Sequence, residues 1–246
     1  MNKWVKKSLG QMAQLSKEIW KPGDGDFPYI GLEHIEEEKL RLSGIGNSTS
    51  INSNKFFFDK DTFLFGKLRP YFRKVVQPKF CGVCSTDIWV VKAKPNCDLD
   101  YLFYLFASQD FIDLAYSGSS GTRMPRADWD FMKDTNWFFP KDISEQKAIA
   151  GVLSSLDDKI DLLHRQNETL EALAQTLFRQ WFIEEIEDDR EEIKLCSIAH
   201  HLKENIKPYQ SPDEFFFHYS IPAYDNGKNP VREHGSDIRS NKYLYF

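Results

Sequence analysis

From Ser144 to about Ile186 the chain puts an apolar side chain at nearly every position reached by alternating steps of four and three. These are Ile149, Leu153, Leu156, Ile160, Leu163, Asn167, Leu170, Ala174, Leu177 and Trp181, with Asn167 the one polar member. A helix lying on a globular core carries a wider apolar stripe, so a seam this narrow calls for a partner helix. Neither Pro nor Gly falls between Gly151 and Ile186. At 1.5 Å per residue such a rod is on the order of 60 Å long, more than the diameter of a small domain. It is therefore expected to act as a spacer and docking rail. Asn167 stands where a buried amide costs stability but disfavours wrong registers, as in a rod selected for one pairing. A solvated helix with an acidic outer face is the alternative, and the regularity of the seam argues against it.

A chain of 246 residues has room for the rod and one ordinary domain besides. Its hydrophobic content of 41% and its 20 phenylalanines are ample for a packed core. The net charge of −5 argues at first against a nucleic-acid partner, but the distribution overrides the total. Between Phe63 and Lys94 stand Lys67, Arg69, Arg73, Lys74, Lys79, Lys92 and Lys94 against a single acid, Asp87, while the acidic excess lies on the rod and its tail, from Glu184 to Glu192. Two regions of opposite sign suggest two jobs. Cys81 and Cys84 form a close pair, yet neither Cys97 nor Cys196 belongs to a second one, so ordinary reduced thiols in a core strand are expected and no metal. The N-terminal stretch is too polar for a signal peptide and no segment has the apolar length of a membrane span, which leads to the expectation of a cytoplasmic protein.

In order, Trp4 to Leu15 opens the first domain and Lys21 to Asp26 is turn-rich. Strand signals follow at Phe27–Leu32, at Lys55–Phe58 and Thr62–Phe65 around an Asp-Lys-Asp turn, at Val75–Val76, and from Gly82 to Val91. Glu33 to Lys39 is ambiguous between helix and loop, and Gly44 to Asn54 reads as loop. Asp98 to Tyr116 has helical spacing, and Trp137–Pro140 is a last strand before Ser144 caps the rod. Within Gly66–Lys74, basic residues interleave with Tyr71 and Phe72, as suits a surface that meets phosphates and stacks against bases. A solvated edge strand with its aromatics buried is the other reading. Ser117 to Arg126 is a small-residue loop with arginines at 123 and 126, suited to entering a groove and bonding a guanine edge or phosphates, or else a plain surface loop. After the rod the beginning returns: Ile51–Phe58 lines up with Ile238–Tyr245. This second copy stops at Phe246, before any counterpart of Gly66–Pro70, so residues 191–246 are expected to fold poorly alone.

Taken together, Gly66–Lys74, Gly82–Asp87, the Ser117–Arg126 loop, and Pro140 followed by Glu145–Ala150 and Leu153–Ile160 resemble the specificity subunits of type I restriction-modification systems. The resemblance covers the first 186 residues well and thins out after them. It implies a subunit of two target-recognition domains and two long helices packed antiparallel, each domain reading one half of a split double-stranded DNA target. Modification subunits would grip the helices and supply S-adenosylmethionine-dependent adenine methylation, and a restriction subunit ATP-driven translocation and cleavage. The chain itself would then be non-catalytic and hold no cofactor. It departs from that pattern in carrying one complete recognition domain and a fragment of the second, as a truncated subunit or a half-subunit that pairs with itself would.

The rival class is the nuclease or methyltransferase of such a system. No adenine-flipping Asn-Pro-Pro-Tyr and no glycine fingerprint for a nucleotide stands in the chain, and Glu37-Glu38-Lys39 imitates a nuclease cluster only loosely. A pure coiled-coil scaffold would leave the basic aromatic stretch unexplained. The expected organisation is α+β: a DNA-binding domain over 1–143, the rod over 144–190 and the partial copy over 191–246. Lys67, Arg69, Arg73, Lys74, Arg123 and Arg126 are expected to face DNA, the lysines toward phosphates and the loop arginines toward base edges. Ile149, Leu153, Leu156, Ile160, Leu163, Asn167, Leu170 and Leu177 are expected to form the subunit interface.

Overall fold

In the computed structural model, residues 4–119, 124–184, 193–200, 205–218, 229–238 and 243–244 are described. The chain divides into two compact units, Met1–Leu173 and Ala174–Phe246. The boundary falls inside the long helix.

The first unit is built in layers because its central strands are apolar on both sides. Its strands are β1 (Trp4–Ser8), β2 (Ala13–Ser16), β3 (Ile19–Trp20), β4 (Pro28–Ile30), β5 (Gly46–Asn47), β6 (Lys55–Phe58), β7 (Phe63–Gly66), β8 (Val75–Val76), β9 (Gly82–Cys84), β10 (Ile88–Ala93) and β11 (Asn136–Pro140). Helices α1 (Leu9–Met12), α2 (Leu99–Ala107), α3 (Gln109–Ser117) and α4 (Trp129–Met132) cover them. One sheet runs β2, β10, β7, β8 and the other β3, β6, β9, β4, β5; β1 pairs separately with β11. Along β7 and β10 the side chains alternate as the pleat requires. Phe63, Phe65, Trp89 and Val91 pack with Leu102, Phe106, Phe111 and Ile112 of the helices. Leu64, Ile88 and Val90 face Ile30, Phe58 and Cys84 of the five-stranded sheet. The expected mixed α+β architecture is the one observed.

Lys55–Phe58 and Thr62–Phe65 do flank a turn, but they serve different sheets, and Gly82–Val91 divides at Ser85–Asp87 in the same way. The chain crosses between the two sheets four times, at the connections β2–β3, β6–β7, β8–β9 and β9–β10. The helical stretch from Asp98 to Tyr116 is two helices. Ser108 ends α2 and begins α3, its Oγ accepting the Phe111 N–H at 3.3 Å. Cys84 lies buried in β9 as expected, with burial raising its pKa; Cys97 is buried at the approach to α2 and pushed up to about 12, and Cys81 is exposed.

The long helix α5 runs from Ile143 to Glu184, its last five residues, Gln180–Glu184, in π geometry. Its cap is Asp142 rather than Ser144. The Asp142 carboxylate accepts the Ser144 N–H at 2.9 Å and its carbonyl accepts Gln146 N–H, which satisfies the first helical donors. The start of α5 is clamped into the domain. Gln146, 1% exposed, accepts the Asp98 N–H at 2.8 Å and donates to the Pro140 carbonyl at 3.0 Å. Ala150 is buried beside it, and two turns further the Tyr104 hydroxyl donates to Asp157 at 2.7 Å. From Asp158 to Thr176 every helix residue is exposed.

Within the second unit, β12 (Asn205–Ile206) pairs antiparallel with β15 (Tyr243–Leu244), and β13 (Phe215–His218) with β14 (Val231–His234). Tyr243–Leu244 is the sequence counterpart of Phe56–Phe57, and β6 likewise pairs antiparallel with β3. Ile206 opposite Tyr243 thus has the same antiparallel partner relation as Ile19 opposite Phe56.

Candidate nucleic-acid interface

The basic stretch is the nine-residue passage from the end of β7 to the start of β8. Gly66 opens it, where an added Cβ would press on Leu32 at 2.8 Å and on Lys74 at 3.2 Å. Its N–H donates to the Lys74 carbonyl at 2.8 Å, closing the loop at its base. Between them Pro70–Phe72 makes one 3-10 turn, and the residues on either side, Arg69 (φ 52°) and Arg73 (φ 48°), are both left-handed. Left-handed non-glycine residues cost of order 1–3 kcal/mol each and persist only where the surroundings over-determine them. Here the surroundings do. Met124–Ala127 runs alongside, with Arg69 N–H donating to Pro125 O at 2.7 Å, Ala127 N–H to Lys67 O at 2.9 Å, and Leu68 bridging Arg126. Lys67 N–H donates to Asp87 O at 3.0 Å. Three motifs distant in sequence, Gly66–Lys74, Gly82–Asp87 and the loop ending at Arg126, therefore meet at one place.

Their cations have different surroundings. Arg126 forks onto Asp87, Nε to Oδ1 at 3.0 Å and Nη2 to Oδ2 at 3.4 Å, which orients the guanidinium and offsets its charge. Lys74 is turned inward. Its side chain is 16% exposed, and Nζ donates to Leu32 O at 2.8 Å and stands 3.7 Å from Glu37. Lys67 lines a recess of about 220 Å³ with Lys17, Trp89 and Trp129. Arg73 lines a second cleft, of about 240 Å³, against Asp157, Asp161 and His164 of α5. The Nε atoms of Arg69 and Arg73 are buried with no hydrogen-bond partner among the described residues. Arg123 lies outside the described residues.

Sequence reasoning missed two parts of this region. Tyr116, at the end of α3, meets Tyr71 edge to face at 5.6 Å, and both rings are about half exposed. Phe72 packs edge-on to Tyr71 at 4.7 Å and is half-buried. Nothing in the residue types of the 69–73 stretch reveals that its turn points one aromatic outward. The acidic run Glu36–Glu38 has structural partners: Glu36 accepts from Arg41 at 2.9 Å and pairs with Lys39 at 3.1 Å. Burial would raise the Glu36 pKa, but the Arg41 and Lys39 bonds together hold it below the usual carboxylate range.

On α5 the expected interface residues part company. Ile149 packs against the domain's own core and is spent there. Leu153, Leu156, Ile160, Leu163 and Leu170 are 38–61% exposed, Asn167 is exposed and Leu177 half-buried. No helix among the described residues is long and apolar enough to cross a membrane.

Among known proteins, the chain is similar to the HindI specificity subunit of Haemophilus influenzae, a type I restriction enzyme subunit. Identity is 33% over 193 residues, covering 75% of this chain and 42% of that one. A putative type I specificity subunit of Mycoplasma pneumoniae is 27% identical over 241 residues, 91% of this chain and 60% of its own length. The chain thus spans about half the length of these relatives. Its fold is similar to that of a type I restriction-modification S subunit from M. genitalium (TM-score 0.54, 19% identity, 87% of this chain and 54% of that one). The HsdS subunit of Thermoanaerobacter tengcongensis is also similar in fold (TM-score 0.53, 17% identity, 88% and 56%). With the pattern described as "Type I restriction modification DNA specificity domain" matching residues 1–172, across the layered domain and most of α5, the chain belongs to that family.

Proposed function

We propose that this chain reads DNA sequence for a type I restriction-modification assembly and does no chemistry itself. Residues 1–143 would bind one half-site of double-stranded DNA, 144–190 would space that domain and dock modification subunits, and 191–246 begin a second recognition domain. The modification and restriction subunits would supply methylation and cleavage in the cytoplasm, and the chain needs no metal or cofactor of its own. The observation that carries this reading is the family match over residues 1–172, the span that contains the three converging motifs. Lys67 and Arg69 are its first phosphate contacts; neither has an ion-pair partner among the described residues. The test is binding of the full chain, alone and with modification subunits, to a random duplex pool across a salt series. Affinity should fall steeply with salt, and repeated selection should enrich one sequence class. A chain that holds no duplex in either form would sink the proposal.

A second reading is favoured by one observation, the exposed leucines of α5. Two copies pairing antiparallel along that seam would set identical domains at opposite ends and read an interrupted palindrome.

A further inference from the structure

We infer that Tyr71, backed by Tyr116, is an aromatic wedge that enters the stack of duplex DNA and opens one base step. This rests on the DNA-reading function proposed above. Four observations converge on it. Tyr71 sits at the middle of a single 3-10 turn whose two flanking residues, Arg69 and Arg73, are held in the left-handed region, so backbone strain is concentrated where one side chain is displayed. The turn is fixed on both sides, by Arg69 N–H on Pro125 O and by the Gly66–Lys74 closure, so Tyr71 is displayed rigidly. Phe72 supports Tyr71 from within, edge-on at 4.7 Å, and Tyr116 braces it at 5.6 Å with the rings at 88°. Tyr71 and Tyr116 are 43% and 51% exposed, and neither hydroxyl has a hydrogen bond among the described residues.

The charges choose the occupant. An exposed aromatic pair alone would suit any apolar partner, but this one stands on a strip whose backbone also carries Lys67, Arg69 and Arg126. Asp87 offsets only Arg126. A ring on a strip that carries Lys67 and Arg69, neither ion-paired among the described residues, fits a partner that offers flat aromatic surface beside negative charge, as a base step between phosphates does. A T-shaped pair also leaves at least one ring with both faces free of the other, and an open ring face is what stacking on a base uses. Side chains that wedge into DNA unstack a step and kink the helix there, which lets sequence be read through the ease of deformation as well as through base edges.

The experiment takes the full chain, with modification subunits if binding needs them, and a duplex enriched from a random pool. That duplex is resynthesised with 2-aminopurine at successive positions. Wild type should raise the fluorescence at one step. Tyr71→Ala should abolish that rise and weaken binding about tenfold, the loss of one stacked base. Tyr71→Phe should keep both, and Tyr116→Ala should reduce both. Should Tyr71→Ala fail to fold, Tyr116→Ala alone decides, through the same rise. Flat fluorescence at every position of a duplex that the protein holds tightly overturns the wedge and leaves DNA reading intact. A Tyr71→Ala variant that binds like wild type does the same, and the Tyr71–Tyr116 pair would then be covered by protein. Failure to enrich any duplex removes the parent proposal, and the wedge with it.

Discussion

Removing the carboxamide of Gln146 leaves two buried backbone groups, the Asp98 N–H and the Pro140 carbonyl, without partners. Each such orphan costs about 1–3 kcal/mol, so Gln146→Ala should lower stability by on the order of 3 kcal/mol, read as a shift in denaturant midpoint at constant slope. No shift would mean that water replaces the carboxamide at no cost. The lysines of the basic stretch offer a second contrast. Lys67→Ala should reduce the salt slope of DNA binding by about one, whereas Lys74→Ala should leave the slope alone and lower the melting temperature. Equal effects on the slope would show that Lys74 leaves Leu32 on binding DNA. Residue types announced a basic aromatic surface here, but not which cations are free. That depends on carbonyls and carboxylates brought in from Leu32, Asp87 and Glu37, each tens of residues away in sequence from the cation it meets.

At the scale of the element, the apolar periods of α5, β7 and β10 were legible because each is long or buried on both faces. Boundaries were less so. Ser108 divides one helical pattern into two helices through a side-chain cap, and Asp142 rather than Ser144 begins α5, a choice between neighbouring good caps that only backbone geometry decides. The Asp142 cap makes the helix start sensitive to pH. Hydrogen bonds from Ser144, the backbone N–H first, hold its carboxyl below the usual range. A folded pKa below the unfolded one contributes stability above the unfolded value and loses it as pH falls through the folded value. Asp142→Asn keeps a capping acceptor but carries no charge. Wild type should therefore melt above the variant at pH 7, and the difference should close as pH falls below the usual aspartate value and through the depressed one. A difference that persists there would point to geometry, not charge.

For the whole molecule, the seam beyond Asp157 is the surface most in need of a partner. Leu156→Lys combined with Leu163→Lys should abolish helix pairing without disturbing the domain, because both side chains are exposed and neither is a clamp residue. Sedimentation decides between occupants. A wild-type dimer at micromolar concentration that the two lysines dissociate supports self-pairing, while a wild-type monomer assigns the seam to another subunit. The long helix was legible from the sequence. Its clamp was not: Ala150 and Asp157 lie off the heptad seam, and Gln146, one step before Ile149 in the same register, is polar.

The four crossings between the sheets bear on how the domain fails. Because the chain passes back and forth between the sheets, opening one should pull on the strands of the other. Amides of Val83 in one sheet and Val90 in the other should then exchange with solvent through the same global opening, at one free energy. A domain that is either whole or fully open never offers a half-released strand edge to its neighbours, and such edges are where chains of this kind aggregate.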